Sequence, residues 1–230
     1  TAKGFCLTSA FWMMAATFMG LLGATELIAP AVTENIGGLV FGRVRPTHVN
    51  LVLFGFATPG LLGATFYFFP RVLQTRLYSE KLGVFTVIAW NIMLVCTVAT
   101  LLSGHTQARE YAEMIWPVDI LVVLAFALIA FNFFMTVQRR TEPLIYVSIW
   151  YACAAAVLTM LTYALGNVIW RPDGGALTGI PDAILLWFYG HNIFGLLLTP
   201  LSIGVAYYVV PKAIRAPLYS HTLSLLGFWA

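Results

Sequence analysis

Hydrophobic residues in this chain come in long uninterrupted blocks separated by short clusters of Arg, Lys, Pro and Gly. A bilayer core about 30 Å thick needs about 20 apolar residues of helix. The blocks reach that length six times, over residues 5–29, 48–69, 82–102, 116–137, 144–166 and 183–210. A seventh begins near Ser220, and its run 223–230 stops in mid-helix without a cap or charged flank. The chain is therefore expected to be truncated or continued by another polypeptide. The pattern predicts an all-α polytopic membrane bundle of six complete transmembrane helices plus the start of a seventh. No repeat at solenoid periods and no flexible linker interrupts it, so residues 1–230 are read as a single transmembrane domain. The turn-rich stretch 170–175 is expected only to connect spans five and six.

Composition agrees, with 60% of residues hydrophobic and 9% charged, a balance that marks an integral membrane protein. The first block is too long for a cleaved signal peptide and lacks a small-residue cleavage site. Cys6, Cys96 and Cys153 stand singly in apolar runs. No CxxCH motif or disulfide framework is present, which excludes covalent c-type haem on this chain.

Charge sets orientation. Lys3, Arg71, Arg76, Lys81, Arg139, Arg140, Lys212 and Arg215 fall on one side, against Arg43, Arg45, Arg109 and Arg171 on the other. The positive-inside rule puts the N-terminus in the cytoplasm. Glu34, Glu110, Glu113, Asp119, Asp173 and Asp182 collect on the outer side. The net charge of +3 reports this asymmetry and not nucleic-acid binding.

Two histidines fall in or beside the apolar blocks. An imidazole in hydrocarbon without a partner loses about 2–7 kcal/mol of hydrogen bonding, and ionisable residues inside a span mark function by default. His48 opens the second block, just after Arg43 and Arg45 in FGRVRPTHVN. Neutral imidazole is an axial ligand for haem iron, and guanidinium groups at the membrane edge suit haem propionates. The plainer alternative is an interfacial residue at a helix start. His191 lies eight residues into the sixth block, about 12 Å deep at 1.5 Å per residue, among Trp187, Phe188, Tyr189 and Phe194. It is either a metal ligand, imidazole suiting copper and iron, or a histidine satisfied by a carbonyl or hydroxyl on a neighbouring helix. Gly190 admits either a bulky ring or a close helix contact. His105 reads as a solvated loop residue, and His221 as an interface residue.

The pair GRVRPTHVN and PDAILLWFYGHNIFGLLLTP resembles subunit I of the cbb3-type cytochrome c oxidases, the C family of haem-copper oxidases. LFGFATPGLLGATFYFFPR, SGHTQAREYAE, EPLIYVSIWY, VAYYVVPK and LYSHTLSLLGFWA support it in order, so the resemblance covers the chain from about residue 11. It implies that His48 is an axial ligand of low-spin haem b, that His191 is a ligand of the copper called CuB, and that Arg43 and Arg45 face the propionates. It places Glu110 and Glu113 in an acidic outer loop near a calcium ion. Here the chain departs from the family, carrying Met114 and Ile115 where relatives have Pro and Glu. Tyr207 and Ser224 match polar positions of a proton-uptake pathway; Tyr207 near Pro211 and Lys212 also suits a plain interface anchor.

The implied activity is reduction of O2 to water with electrons from cytochrome c, coupled to proton translocation in a bacterial inner membrane. The implied cofactors are low-spin haem b, high-spin haem b3 and CuB, with calcium in addition. Partners would be membrane lipid, c-type cytochrome subunits and the remaining half of subunit I. That half is needed because the family's other copper ligands, its active-site tyrosine, the haem b3 ligand and the second haem b ligand fall beyond residue 230. The alternatives are a nitric oxide reductase large subunit, whose sixth-helix sequence differs from YGHN, and a non-catalytic membrane subunit for haem binding or assembly.

Overall fold

The computed structural model describes residues 1–33, 35–107, 109–168 and 179–230. Glu34, Arg171, Asp173 and the connection 170–175 lie outside the described residues. Six helices are long and apolar enough to cross a membrane: α1 Ala2–Ile28, α2 Phe41–Val72, α3 Glu80–Leu102, α4 Trp116–Gln138, α5 Val147–Val168 and α6 Ile180–Ile214. A short α7, His221–Trp229, follows. Among the described residues there is no strand, so the expected all-helical bundle is observed.

The helices reach further than the apolar blocks. α2 starts at Phe41, so His48 sits about two turns inside the helix and not at its beginning. α6 starts at Ile180, which puts His191 eleven residues in, about 16 Å along the axis. Apolar runs report only the stretch in hydrocarbon, whereas backbone hydrogen bonding continues into the interface, where arginines sit with their own partners. Pro181 at the first turn of α6 costs no bond, because that N–H has no intrahelical acceptor.

Neighbours in sequence are neighbours in space, and α2 also packs across on α6, closing an arc with α1 and α6 at its two least covered positions. The core runs along α2, α3, α4 and α5: Phe54, Phe69, Trp90, Phe126, Phe133 and Tyr163 are all buried. Phe69 and Phe133 stack with centroids 4.3 Å apart, and Trp90 meets Phe126 edge-on.

Three helices widen locally into π turns, over Leu51–Ala57 in α2, Ala164–Val168 in α5 and Ile193–Leu198 in α6. Two of these run directly into Thr-Pro pairs, Thr58-Pro59 and Thr199-Pro200. A proline ring clashes with the carbonyl four residues back and cannot donate to it, and wider winding relieves that clash. Carbonyls in the widened turns need other donors in a bilayer. Neighbouring helices supply them: Trp90 Nε1 to Phe54 O at 2.8 Å, Ser9 Oγ to Phe56 O at 2.8 Å, and Trp116 Nε1 to Val168 O at 2.9 Å. The third segment has no proline, and nothing in its own sequence accounts for it.

Candidate redox site

His48 is held from α1. Its Nδ1 lies 2.8 Å from the carbonyl oxygen of Ala16, so Nδ1 carries the proton and donates, leaving the Nε2 lone pair free. A metal-binding imidazole is oriented by this kind of bond. The ring lies so close to α1 that a Cβ on Gly20 would come within 2.6 Å of its Cε1. Only glycine leaves that space. His48 also lines a cleft of about 160 Å³ with Val52, Tyr111, Phe194 and Leu198, so α2 and α6 share this wall.

His191 is one turn of α6 before Phe194. Tyr189 is fully buried at 0% exposure while Trp187 is 58% exposed, so the aromatic cluster of the sequence divides between two faces. Tyr189 points inward: its hydroxyl donates to Tyr111 O at 2.7 Å, its ring meets Tyr163 edge-on at 5.1 Å, and Gly166 leaves room for it. Residues two apart on a helix point about 200° apart. His191 accordingly turns outward and is exposed. No hydrogen bond to its side chain occurs among the described residues. Gly190 receives Trp187 and Tyr111. Tyr111 has a left-handed backbone, φ 64°, an uncommon state for a bulky residue and one that concentrates near functional sites.

The acidic loop between α3 and α4 covers this end. Arg45 pairs with Glu110 at 2.6 Å and reaches towards Glu113 at 3.9 Å. Asn50 Nδ2 donates to Glu113 Oε2 at 2.6 Å. Burial pushes the Glu113 carboxyl above its ordinary value, opposed in part by the Asn50 bond. Arg43 turns away from this pair and donates to Leu102 O at 3.0 Å, against Gly104. Both carboxylates are thus directed at Arg45. Among the described residues no three His, Cys, Asp or Glu side chains gather as a metal cluster.

In the sequence Asp119 and Asp182 stand out only as outer charges. Asp119 is fully buried and accepts from Tyr163 OH at 2.6 Å and from Gln107 Nε2. Arg109 joins the carbonyl of Gly166 in the α5 π turn, at 2.9 Å, to Asp182 at the start of α6, at 3.1 Å. The signal for these was an acidic residue in the first turn of an apolar helix, with a tyrosine in the next.

At the opposite end, Tyr207 O accepts from Tyr146 OH at 2.7 Å, and the Tyr207 ring stacks on Tyr151. Ser224 is buried and its hydroxyl donates to His221 O at 2.7 Å. His221 stacks on Tyr146 and, with Tyr207, lines one cavity. His105 is exposed in the loop, as read.

Of the residue types a haem needs, His48 fits one axial position, because its proton is fixed on the nitrogen away from a ligand. His191, exposed and without a hydrogen-bond partner among the described residues, fits a single ligand of a second metal. A "Cbb3-type cytochrome c oxidase subunit CcoN1" of Stutzerimonas stutzeri is 33% identical over 99% of this chain and 49% of its own length. A "Cytochrome c oxidase subunit 1" of Rhodobacter capsulatus is 33% identical over 97% of the chain and 44% of its own. A "Cytochrome c oxidase subunit 1 homolog, bacteroid" of Bradyrhizobium diazoefficiens is 33% identical over 96% and 41%. The chain spans about half or less of the length of these relatives. The family model described as Cytochrome C and Quinol oxidase polypeptide I matches residues 1–230 throughout, and the chain belongs to that family.

Proposed function

We propose that this chain is the N-terminal part of a cbb3-type cytochrome c oxidase catalytic subunit. In that role it reduces O2 to water with electrons from a c-type cytochrome and translocates protons. The observation that supports this reading is the bond from His48 to Ala16 O, which leaves Nε2 without a proton on a wall shared with the His191 helix. Haem b, haem b3 and CuB would supply the electron-transfer and oxygen chemistry when bound.

The chain's own residues position and insulate that chemistry. His48 would hold low-spin haem b on one side, and His191 would give one copper ligand, the remaining ligands coming from residues outside this sequence. Arg45 would face the propionates with the guanidinium nitrogens that Glu110 leaves free, and the pair with Glu110 would hold it at that edge. Arg43 is bound to Leu102 O through one nitrogen, which leaves its other donors for a carboxylate. Tyr207 and Ser224, at the basic end, would carry protons inward from the cytoplasm, with the N-terminus on that side and the bacterial inner membrane as the setting.

Metal analysis of the purified complex tests this reading. Copper and iron together are expected; a metal-replete preparation with iron and no copper would move the assignment to the nitric oxide reductases.

A further inference from the structure

At the basic end, two adjoining cavities of opposite character share Tyr208. The first, about 530 Å³, lies among the ends of α2, α5, α6 and α7 and is walled by Lys212, Arg215, Tyr146, Tyr207 and His221. The second, about 380 Å³, runs between α1, α2 and α6 over Gly60, Gly63, Ala64 and Val205, with Lys3 at its margin. Both volumes fall in the range of small-molecule sites, about 300–1,000 Å³.

Three basic side chains, Lys3, Lys212 and Arg215, line them against one acid, Glu142. Lys212 Nζ donates to Tyr208 OH at 3.0 Å, and Arg71 lies 3.7 Å over the Tyr67 ring. Among the described residues none of Lys3, Arg71, Lys212 and Arg215 pairs with a carboxylate. The one acid in the first cavity, Glu142, accepts from Gln74 Nε2 at 3.1 Å and from the Leu144 N–H at 3.4 Å. A cationic cavity at the membrane margin joined to an apolar groove inside it matches a molecule with an anionic head and an apolar chain. Basic pockets between transmembrane helices take anionic lipid head groups, and tyrosine is enriched at the level of the head groups.

We propose that these cavities form one binding site for an anionic phospholipid of the surrounding bilayer. Its phosphodiester is bound by Lys212 and Arg215, and an acyl chain lies over Gly60, Gly63 and Ala64. None of its contacts involves His48 or His191, while Tyr207 in its wall is shared with the proton-uptake reading.

Native mass spectrometry of the complete complex, titrated with dioleoylphosphatidylglycerol or dioleoylphosphatidylcholine, tests it. The expected result is preferential retention of the anionic lipid, reduced about thirtyfold in Lys212→Gln/Arg215→Gln, since each cation near the surface is worth about a factor of five. Ala64→Phe, which fills the groove, is expected to weaken retention of that lipid without removing charge. Thermal melting within a few degrees of the parent confirms that either variant is folded. Equal retention of the two lipids, an unchanged preference in the double variant, displacement of the lipid by inorganic phosphate, or cross-linking of a protein segment into the groove overturns the proposal.

Discussion

The imidazole of His48 and the backbone of Ala16 form a unit: Nδ1 donates to the Ala16 carbonyl at 2.8 Å, and the ring rests over Gly20 one turn further along α1. The first span therefore sets both the tautomer and the tilt of the imidazole. Gly20→Ala places a methyl within 2.6 Å of Cε1 and forces the ring to move. Expected is a shifted or diminished low-spin b-haem band with little loss of protein, read from the optical spectrum and the haem-to-protein ratio.

Tyr163 and Asp119 brace α5 against α4 next to the Tyr189 anchor. Tyr163→Phe leaves a buried carboxylate oxygen without its donor, which costs about 1–3 kcal/mol. A lower melting temperature in detergent is expected, with a smaller loss for Asp119→Asn, which retains an oxygen acceptor.

Glu113 gives a pH dependence of stability. Its folded-state value is raised above the ordinary 4.5, so the folded chain holds the proton more tightly than the unfolded chain. The associated stability is present in full below 4.5 and is lost as pH rises through the raised value. Glu113→Gln keeps an oxygen for Asn50 and removes the titration. The fall in melting temperature on going upward from about pH 4.5 is expected to flatten in this variant.

Much of the fold was legible because a span must be apolar for about 20 residues whatever its neighbours do. Six blocks became six crossing helices. His48, His191 and the flanking arginines also stood out, since charge and imidazole are rare in such blocks. Partners supplied by distant backbone were not legible: Ala16 O has no side-chain signature, and Gly20 is one of 19 glycines. The π turns were hidden although Thr58-Pro59 and Thr199-Pro200 marked two of them. Helical periodicity alone could not show that Tyr189 turns in and His191 out, because that depends on Gly166 and Tyr111 in other segments.

Arg45 and Arg43 are expected to differ. The Arg45–Glu110 pair is largely solvated, and such pairs contribute about 0–1 kcal/mol. Arg45→Ala should change the melting temperature little. Arg43→Ala exposes the end of α3 by removing the bond to Leu102 O and the cover over Gly104. Thermal melting of the two variants side by side should show the larger loss for Arg43→Ala.

The most direct measurement is a dithionite-minus-oxidised spectrum of the complete complex carrying His48→Leu, compared with the parent. The expected result is a low-spin b-type haem band in the parent that disappears in the variant while other haem signals remain. A full low-spin b band in His48→Leu, or none in the parent, would contradict the assignment of His48 as the haem ligand.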